Sequence, residues 1–409
     1  MMKVHQDNER PKRHCMVVHA HYPLAETRVQ REAEALLNHG FEVDVICLQM
    51  PGESGFEVVR GVEVYRLPVQ TFHSTQSLTS QLWEYLRFFV QAARQLNRLN
   101  RQKRYDVIQV HNLPDFLIFC GLFPKLGGTP LILDIHDVSP ELFADRSGQS
   151  MDSWLVRMAI WQEQLSCRFA NHVITVTEPW RQVLIGRGVP ADKTSVVMNV
   201  ADTRLFDPSV RQQVAEQRSE DTFHLIYHGV QTYRHGLDIL LHAMAQVRPQ
   251  IPGLYLTLHG EGEYHHELER MAGELGLTDC VHFSNEYVPV TELPALIARA
   301  DIGVVPYRRD VFTDGILPTK LMEYVSLEMP VIASRTPAIE AYFDDTMVEF
   351  FAPGDVNDLA RCILKLYADR ERREQLVRGA DRFRQRYNWP KISAEYVALV
   401  ERLAGKDSG

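Results

Sequence analysis

Short apolar runs alternate along the chain with longer amphipathic stretches, and turn-forming residues separate them. Residues 15–19 (CMVVH) form the first run. After a loop over 20–25, Val29, Ala33, Leu36 and Leu37 fall at helical spacing and stop at Gly40, a residue suited to ending a helix. Residues 43–48 give the next strand and complete a βαβ unit. Runs at 107–110, 131–135 and 173–176 predict further strands, with helices over 115–125 and 178–185. Such short runs suit strands buried on both faces, and their alternation with helices predicts a parallel sheet covered on both sides.

The pattern then repeats. Strands are predicted at 225–227, 255–259, 281–283, 302–305 and 331–333, with helices over 237–247, 264–275, 292–300 and 320–327. A chain of 409 residues exceeds one ordinary domain. The fold class is therefore α/β, with two Rossmann-like domains in tandem. The polar stretch 207–221 is the expected linker, which gives domains over 1–206 and 207–386. In open parallel sheets ligands bind beyond the carboxyl ends of the strands, so the loops there, in a cleft where the domains face each other, are expected to carry the chemistry.

Composition narrows the class. A net charge of −9 argues against nucleic-acid binding, where a basic excess supplies most of the affinity. The six cysteines show no metal-ligand spacing and read as buried thiols of a reducing compartment. Residues 1–13 have no apolar signal core, and the run 116–123 is far too short for a bilayer. A cytoplasmic protein, soluble or peripheral, is expected. One segment departs from this picture. Residues 78–90 (LTSQLWEYLRFFV) lead into a basic run through Arg104, so this helix either lies on an anionic membrane surface or packs its stripe on its own sheet.

Two loops stand out chemically. The first, from Tyr227 to Asp238, joins a strand to a helix, where backbone amides and the helix dipole converge. Gly229 permits close approach of a phosphate, Arg234 offers a two-pronged cation, and His235 offers a second donor. A plain βα turn with one exposed arginine fits the same residues equally well. The second runs from Asp314 to Tyr324. Pro318 suits a helix start, and Lys320 near that start is unfavourable to the dipole unless it meets an anion. Glu323 lies one turn on, where a carboxylate can accept both hydroxyls of a ribose. The bland alternative is a surface Lys–Glu pair.

The second loop resembles the nucleotide-sugar motif of retaining glycosyltransferases of family 4, which have the GT-B fold. Other pieces agree in order and spacing: Leu258 to Gly262 (LHGEG), Ala300 to Tyr307 (ADIGVVPY), Asn199 to Phe206 (NVADTRLF), and the opening Pro23–Arg28, Arg31-Glu32-Ala33 and His39 to Val43. The similarity runs from about Cys15 to the last helix, and the opening pieces resemble the first βα unit of exopolysaccharide-type members.

The resemblance implies a GT-B pair of domains facing across a cleft, with residues 387–409 crossing back to the first. It implies transfer of a hexose-type sugar from a nucleoside-diphosphate sugar to a glycan or lipid-linked acceptor, without a metal or other cofactor. Arg234 and Lys320 would hold the diphosphate with the Gly229–Val230 backbone and Leu321, and Glu323 would hold ribose. His136, in Asp134-Ile135-His136-Asp137, matches a histidine near the transferred sugar, with His111 and Asp137 lining the same cleft. The pattern breaks once. The first glutamate of E-x7-E, whose second is Glu323, falls at Gly315; Asp314 beside it is a candidate substitute, although a shorter carboxylate one residue away is not equivalent. Two competing readings are a nucleotide-sugar epimerase of the same shape and a non-catalytic nucleotide-sugar binding protein.

Overall fold

The computed structural model describes residues 10–24, 26–69, 78–214, 221–286 and 288–405. Its contacts divide the chain into two compact units. The first extends to Val176, resumes over Trp180–Val197 and takes up the final helix from Ile392; the second holds Thr177–Pro179 and Met198–Lys391.

The first unit is built from β1 (Arg13–Val17), α1 (Thr27–Asn38), β2 (Glu42–Leu48), β3 (Phe56–Val59), β4 (Val62–Leu67), α2 (Leu78–Lys103), β5 (Val107–His111), α3 (Leu122–Leu126), β6 (Leu131–Ile135), α4 (Ser139–Ser147), α5 (Trp154–Phe169), β7 (His172–Thr175), α6 (Glu178–Gly186) and β8 (Thr194–Val196). The strands order as β3-β4-β2-β1-β5-β6-β7-β8, and all pairs are parallel except the β3/β4 hairpin. The central strands are apolar because helices cover both faces; Met16, Ile108 and Leu133 are fully buried. The predicted helix over 115–125 is instead a 3-10 turn, Asp115–Gly121, followed by α3.

The second unit contains α7 (Pro208–Gln213), β9 (Phe223–His228), α8 (Leu237–Val247), β10 (Leu254–His259), α9 (His265–Glu274), β11 (Val281–Ser284), α10 (Leu293–Ala298), β12 (Ile302–Val305), α11 (Thr319–Ser326), β13 (Val331–Ser334), α12 (Pro337–Glu340), β14 (Glu349–Phe351), α13 (Val356–Ala368) and α14 (Arg370–Arg386). Its sheet, β11-β10-β9-β12-β13-β14, is wholly parallel. Two glycines fix its inner geometry. A Cβ on Gly303 would lie 2.4 Å from the Tyr324 ring, and one on Gly236 would lie 2.0 Å from the Pro306 carbonyl. Gly236 also has a φ of +65°, which bends the chain directly into α8.

The division falls at Val197/Met198, not at the expected 206/207. Val200 and Phe206 are buried and belong to the second unit, so burial moves the boundary ahead of the polar stretch. Within that stretch Asp207 caps α7, and residues 215–220 lie outside the described residues. The last helix, α15 (Trp389–Ala404), enters the first unit at Ile392 rather than at residue 387, and its Tyr396 hydroxyl donates to Gln109 at 2.7 Å. Among the described residues no helix is long and apolar enough to cross a membrane.

Candidate functional site

In the second unit the predicted loops meet around Lys320. Gly229 follows β9 with a φ of +112°, and a Cβ there would lie 3.2 Å from Lys320 Cε and 3.3 Å from its Nζ. The Lys320 ammonium donates to the Tyr307 hydroxyl at 2.8 Å and to the Tyr227 hydroxyl at 3.2 Å. It also lies 4.6 Å and 5.0 Å from the two ring centres. Only 7% of the residue is exposed, so it is not a surface partner of Glu323. Burial alone would lower its pKa, but the two phenols outweigh that and raise it, so the charge persists. Both hydrogen-bond partners are phenols, not carboxylates, and a buried cation so placed is a preformed site for an anion.

His235 differs from expectation. Its Nδ1 lies 2.6 Å from the Val230 carbonyl, which only accepts, so Nδ1 carries the proton. Burial and then Lys320 press its pKa down to about 3. The neutral ring, stacked on Tyr307, therefore presents Nε2 as an acceptor and supplies no second donor to a phosphate. The exposed Val230 contributes its carbonyl to this framework, which the Tyr227 hydroxyl also donates to at 2.7 Å. Arg234 is half-buried with its guanidinium 5.2 Å from the Phe312 ring centre. Leu321 is fully buried and its N–H donates to Pro318, so it supports the loop from the core side.

Glu323 has a partner the sequence did not announce. Its Oε2 lies 2.6 Å from His228 Nε2, while His228 Nδ1 lies 2.9 Å from the Tyr324 hydroxyl. The carboxylate only accepts, so Nε2 carries a hydrogen and donates to Glu323, which fixes the carboxylate's direction. His228→Phe is expected to weaken nucleoside-diphosphate affinity about tenfold, the scale typical of lost outer-shell partners. Calorimetric titration checks this, and unchanged affinity removes the orienting role. Asp314 is held by Arg309 at 2.7 Å, and Gly315 is buried with its carbonyl accepting from Thr177.

A second cluster lies in the first unit, at the carboxyl ends of β5 and β6. Asp134 is fully buried. Arg28 reaches it from α1 with two bonds of 2.9 and 3.0 Å, and Gln109 adds one of 3.1 Å. His111 Nδ1 and His136 Nε2 stand 3.2 and 3.4 Å from Asp134 Oδ2, and 3.1 Å from each other. These three residues are close enough to share a metal ion, yet the Arg28 guanidinium already spans both carboxylate oxygens. Burial would raise Asp134, but Arg28 and the histidines together hold it well below its usual range. Burial presses His111 down to about 4, whereas at His136 Asp134 outweighs burial and the pKa is raised.

The two histidines divide accordingly. His136 retains 16% side-chain exposure and is the member a ligand can reach. His111 is completely buried, so it backs His136 instead of lining an open cleft. Asp137 is half-buried, and its carbonyl accepts from Asn112, whose Oδ1 also receives the His136 N–H. Arg28, Glu32 and Gln109 were not among the expected site residues, although Arg28 and Glu32 lie in the opening pieces of the resemblance; their spacing of four residues on one helix was the available signal.

Two tandem α/β units with loops of this kind define a glycosyltransferase of the GT-B fold. Residues 25–199 match the family described as "Glycosyl transferase 4-like domain" and residues 210–383 match "Glycosyl transferases group 1", and the chain belongs to these glycosyltransferases. Membership favours the transferase over the epimerase and non-catalytic readings. The chain is 21% identical to chitobiosyldiphosphodolichol beta-mannosyltransferase of Debaryomyces hansenii, over 72% of this chain and 66% of the relative. It is 31% identical to a GDP-mannose-dependent alpha-(1-6)-phosphatidylinositol monomannoside mannosyltransferase of Mycolicibacterium smegmatis, over 42% of this chain and 45% of the relative. The chain thus spans just under two thirds and under half of these two relatives. Among solved structures, sucrose-phosphate synthase of Thermosynechococcus elongatus superposes with a TM-score of 0.78 at 20% identity, covering 97% of this chain and 100% of the other. Anabaena HepE in complex with UDP gives 0.70 at 18% identity, covering 95% and 100%.

Proposed function

We propose that the protein is a retaining glycosyltransferase that moves a hexose-type sugar from a nucleoside-diphosphate sugar to a glycan or lipid-linked acceptor in cell-surface polysaccharide synthesis, on the cytoplasmic side. The observation that carries the reading is the buried Lys320 ammonium, held by two phenols beside the Gly229 backbone. The names of the mannosyltransferase relatives and of the UDP-bound HepE support a nucleotide-sugar donor.

In the proposed step the bond from the anomeric carbon to the diphosphate oxygen breaks, and a bond to the acceptor oxygen forms on the same face. Positive charge builds on the sugar ring and negative charge on the departing diphosphate. Arg234, Lys320 and the α8 terminus stabilise that negative charge. The leaving phosphate oxygen takes the acceptor proton, so no separate base is required. Glu323 holds ribose, and the first unit's His136 positions the acceptor side. Protein cations serve the diphosphate, and we assign no metal or other cofactor to the step.

Thermal denaturation with UDP, GDP, ADP, CDP and dTDP tests the donor site. One nucleotide is expected to stabilise the wild type selectively, by about 2.7 kcal/mol at a hundredfold excess over its Kd. Arg234→Ala and Glu323→Ala are expected to lose that shift. Turnover with the matching sugar donor should persist in EDTA and retain the donor's anomeric configuration by NMR. If none of the five nucleotides stabilises the protein, the donor assignment is wrong.

A further inference from the structure

The outer surface of one helix layer in the first unit has a character unlike the rest of this acidic chain. The chain steps in one direction through β4, β5, β6 and β7, and right-handed crossovers place α2, α3 and α5 on the same face of the sheet. Contacts join them: Phe89 of α2 meets Phe116 of the following 3-10 turn at 6.1 Å, and Phe119 of that turn meets Phe169 of α5 at 4.8 Å. The inward stripe of α2, Phe88, Ala92 and Leu96, is fully buried.

A second apolar set faces outward. On α2 it is Leu82, Trp83, Leu86 and Val90. On α3 it is Leu122, Phe123 and Leu126, the last two 67% and 76% exposed. On α5 the residues Trp154, Met158 and Trp161 repeat at helical spacing, and Trp154 is 72% exposed. Isolated exposed apolar residues are ordinary, but three adjacent helices presenting large ones together mark an interaction surface.

Charge identifies the partner. The carboxylates within these three helices are Glu84 and Glu163, and both are buried, facing His19 and Arg187. The exposed charges on the helices are all cations: Arg87, Arg94, Arg98 and Arg101 on α2, and Arg157 and Arg168 on α5. Asp152, just ahead of α5, is an exposed acid at the rim. Arg87 lies 5.4 Å from the Trp83 ring centre, joining the two kinds of group in one place. A second copy of this face would set cation against cation. Tryptophans and aliphatic tips interleaved with arginines suit the headgroup region of an anionic bilayer.

We propose that the outward face of α2, α3 and α5 is a docking surface for an anionic lipid bilayer. Helix α2 then combines the two alternatives expected of it, its inner stripe on the sheet and its outer stripe on lipid. This surface is separate from the donor site and stands or falls without it.

The test is co-sedimentation of the full chain with phosphatidylcholine vesicles, with and without phosphatidylglycerol, at low and high salt. Binding is expected to require the anionic lipid, to fall as salt screens the arginines, and to shift tryptophan emission to the blue. Trp154→Ser/Trp161→Ser and Arg94→Glu/Arg98→Glu should each weaken binding about tenfold or more. Both variants should keep the wild-type far-UV circular dichroism, melting temperature and oligomeric state, which shows that they fold. Absence of binding to anionic vesicles, equal binding by the variants, or a change of oligomeric state in them would each overturn the proposal.

Discussion

Replacing Lys320 by Met is expected to lower kcat roughly a hundred- to thousandfold, the loss seen when a preorganised group facing a developing negative charge is removed. The ammonium is buried against Tyr227 and Tyr307, so no water competes with the diphosphate for it. Its interaction grows as the sugar–phosphate bond breaks, so kcat should fall more than the donor's KM rises. Melting temperature should change little, because Met fills similar volume and leaves no buried carboxylate unpaired. Lys320→Arg should not rescue activity, since the Gly229 backbone and both rings crowd the side chain. Steady-state kinetics with the donor found by the nucleotide panel checks this. A folded Lys320→Met variant with wild-type kcat would remove the residue from the reaction.

Much of the fold was legible because it is local. The helix Leu237–Val247 and the strand Ile302–Val305 stand where their apolar spacing put them, for each meets its own sheet directly. The β3/β4 hairpin was missed although its strands alternate apolar residues with Glu57, Glu63 and Arg66, because it breaks the parallel βαβ pattern and its turn at Arg60-Gly61 lacks the usual Asn-Gly or Asp-Gly signal. Helix α5 was missed for a related reason: its outward Trp154 and Trp161 blur the division into one apolar and one polar face. At the site, loop chemistry and resemblance indicated Lys320, Gly229 and Glu323. What they did not show were the partners that give those residues their properties. His228 is 95 residues from Glu323, and Arg28 is 106 from Asp134. Such pairs are made by strand order, which no local pattern encodes.

Arg28→Met is expected to destabilise the first unit by about 3–5 kcal/mol, because it leaves the ionised Asp134 buried without its cation. For a unit of this size the shift in melting temperature should be about 10 °C. Scanning calorimetry should show this in one transition, while nucleotide binding to the second unit still moves the other. The pH dependence has a definite sign. Asp134 is held well below its usual range in the folded wild type, chiefly by Arg28 against the opposing effect of burial. Its contribution is therefore present above the unfolded carboxyl value near 3.9 and disappears as pH falls through the lower folded value. The gap between wild type and Arg28→Met should be widest near neutral pH and close on acidification. Asp134→Asn on the Arg28→Met background should recover part of the loss, since the buried charge that caused it is gone. If Arg28→Met melts with the wild type at neutral pH, Arg28 does not hold this cluster together, and the placement of His136 by Asp134 must have another support.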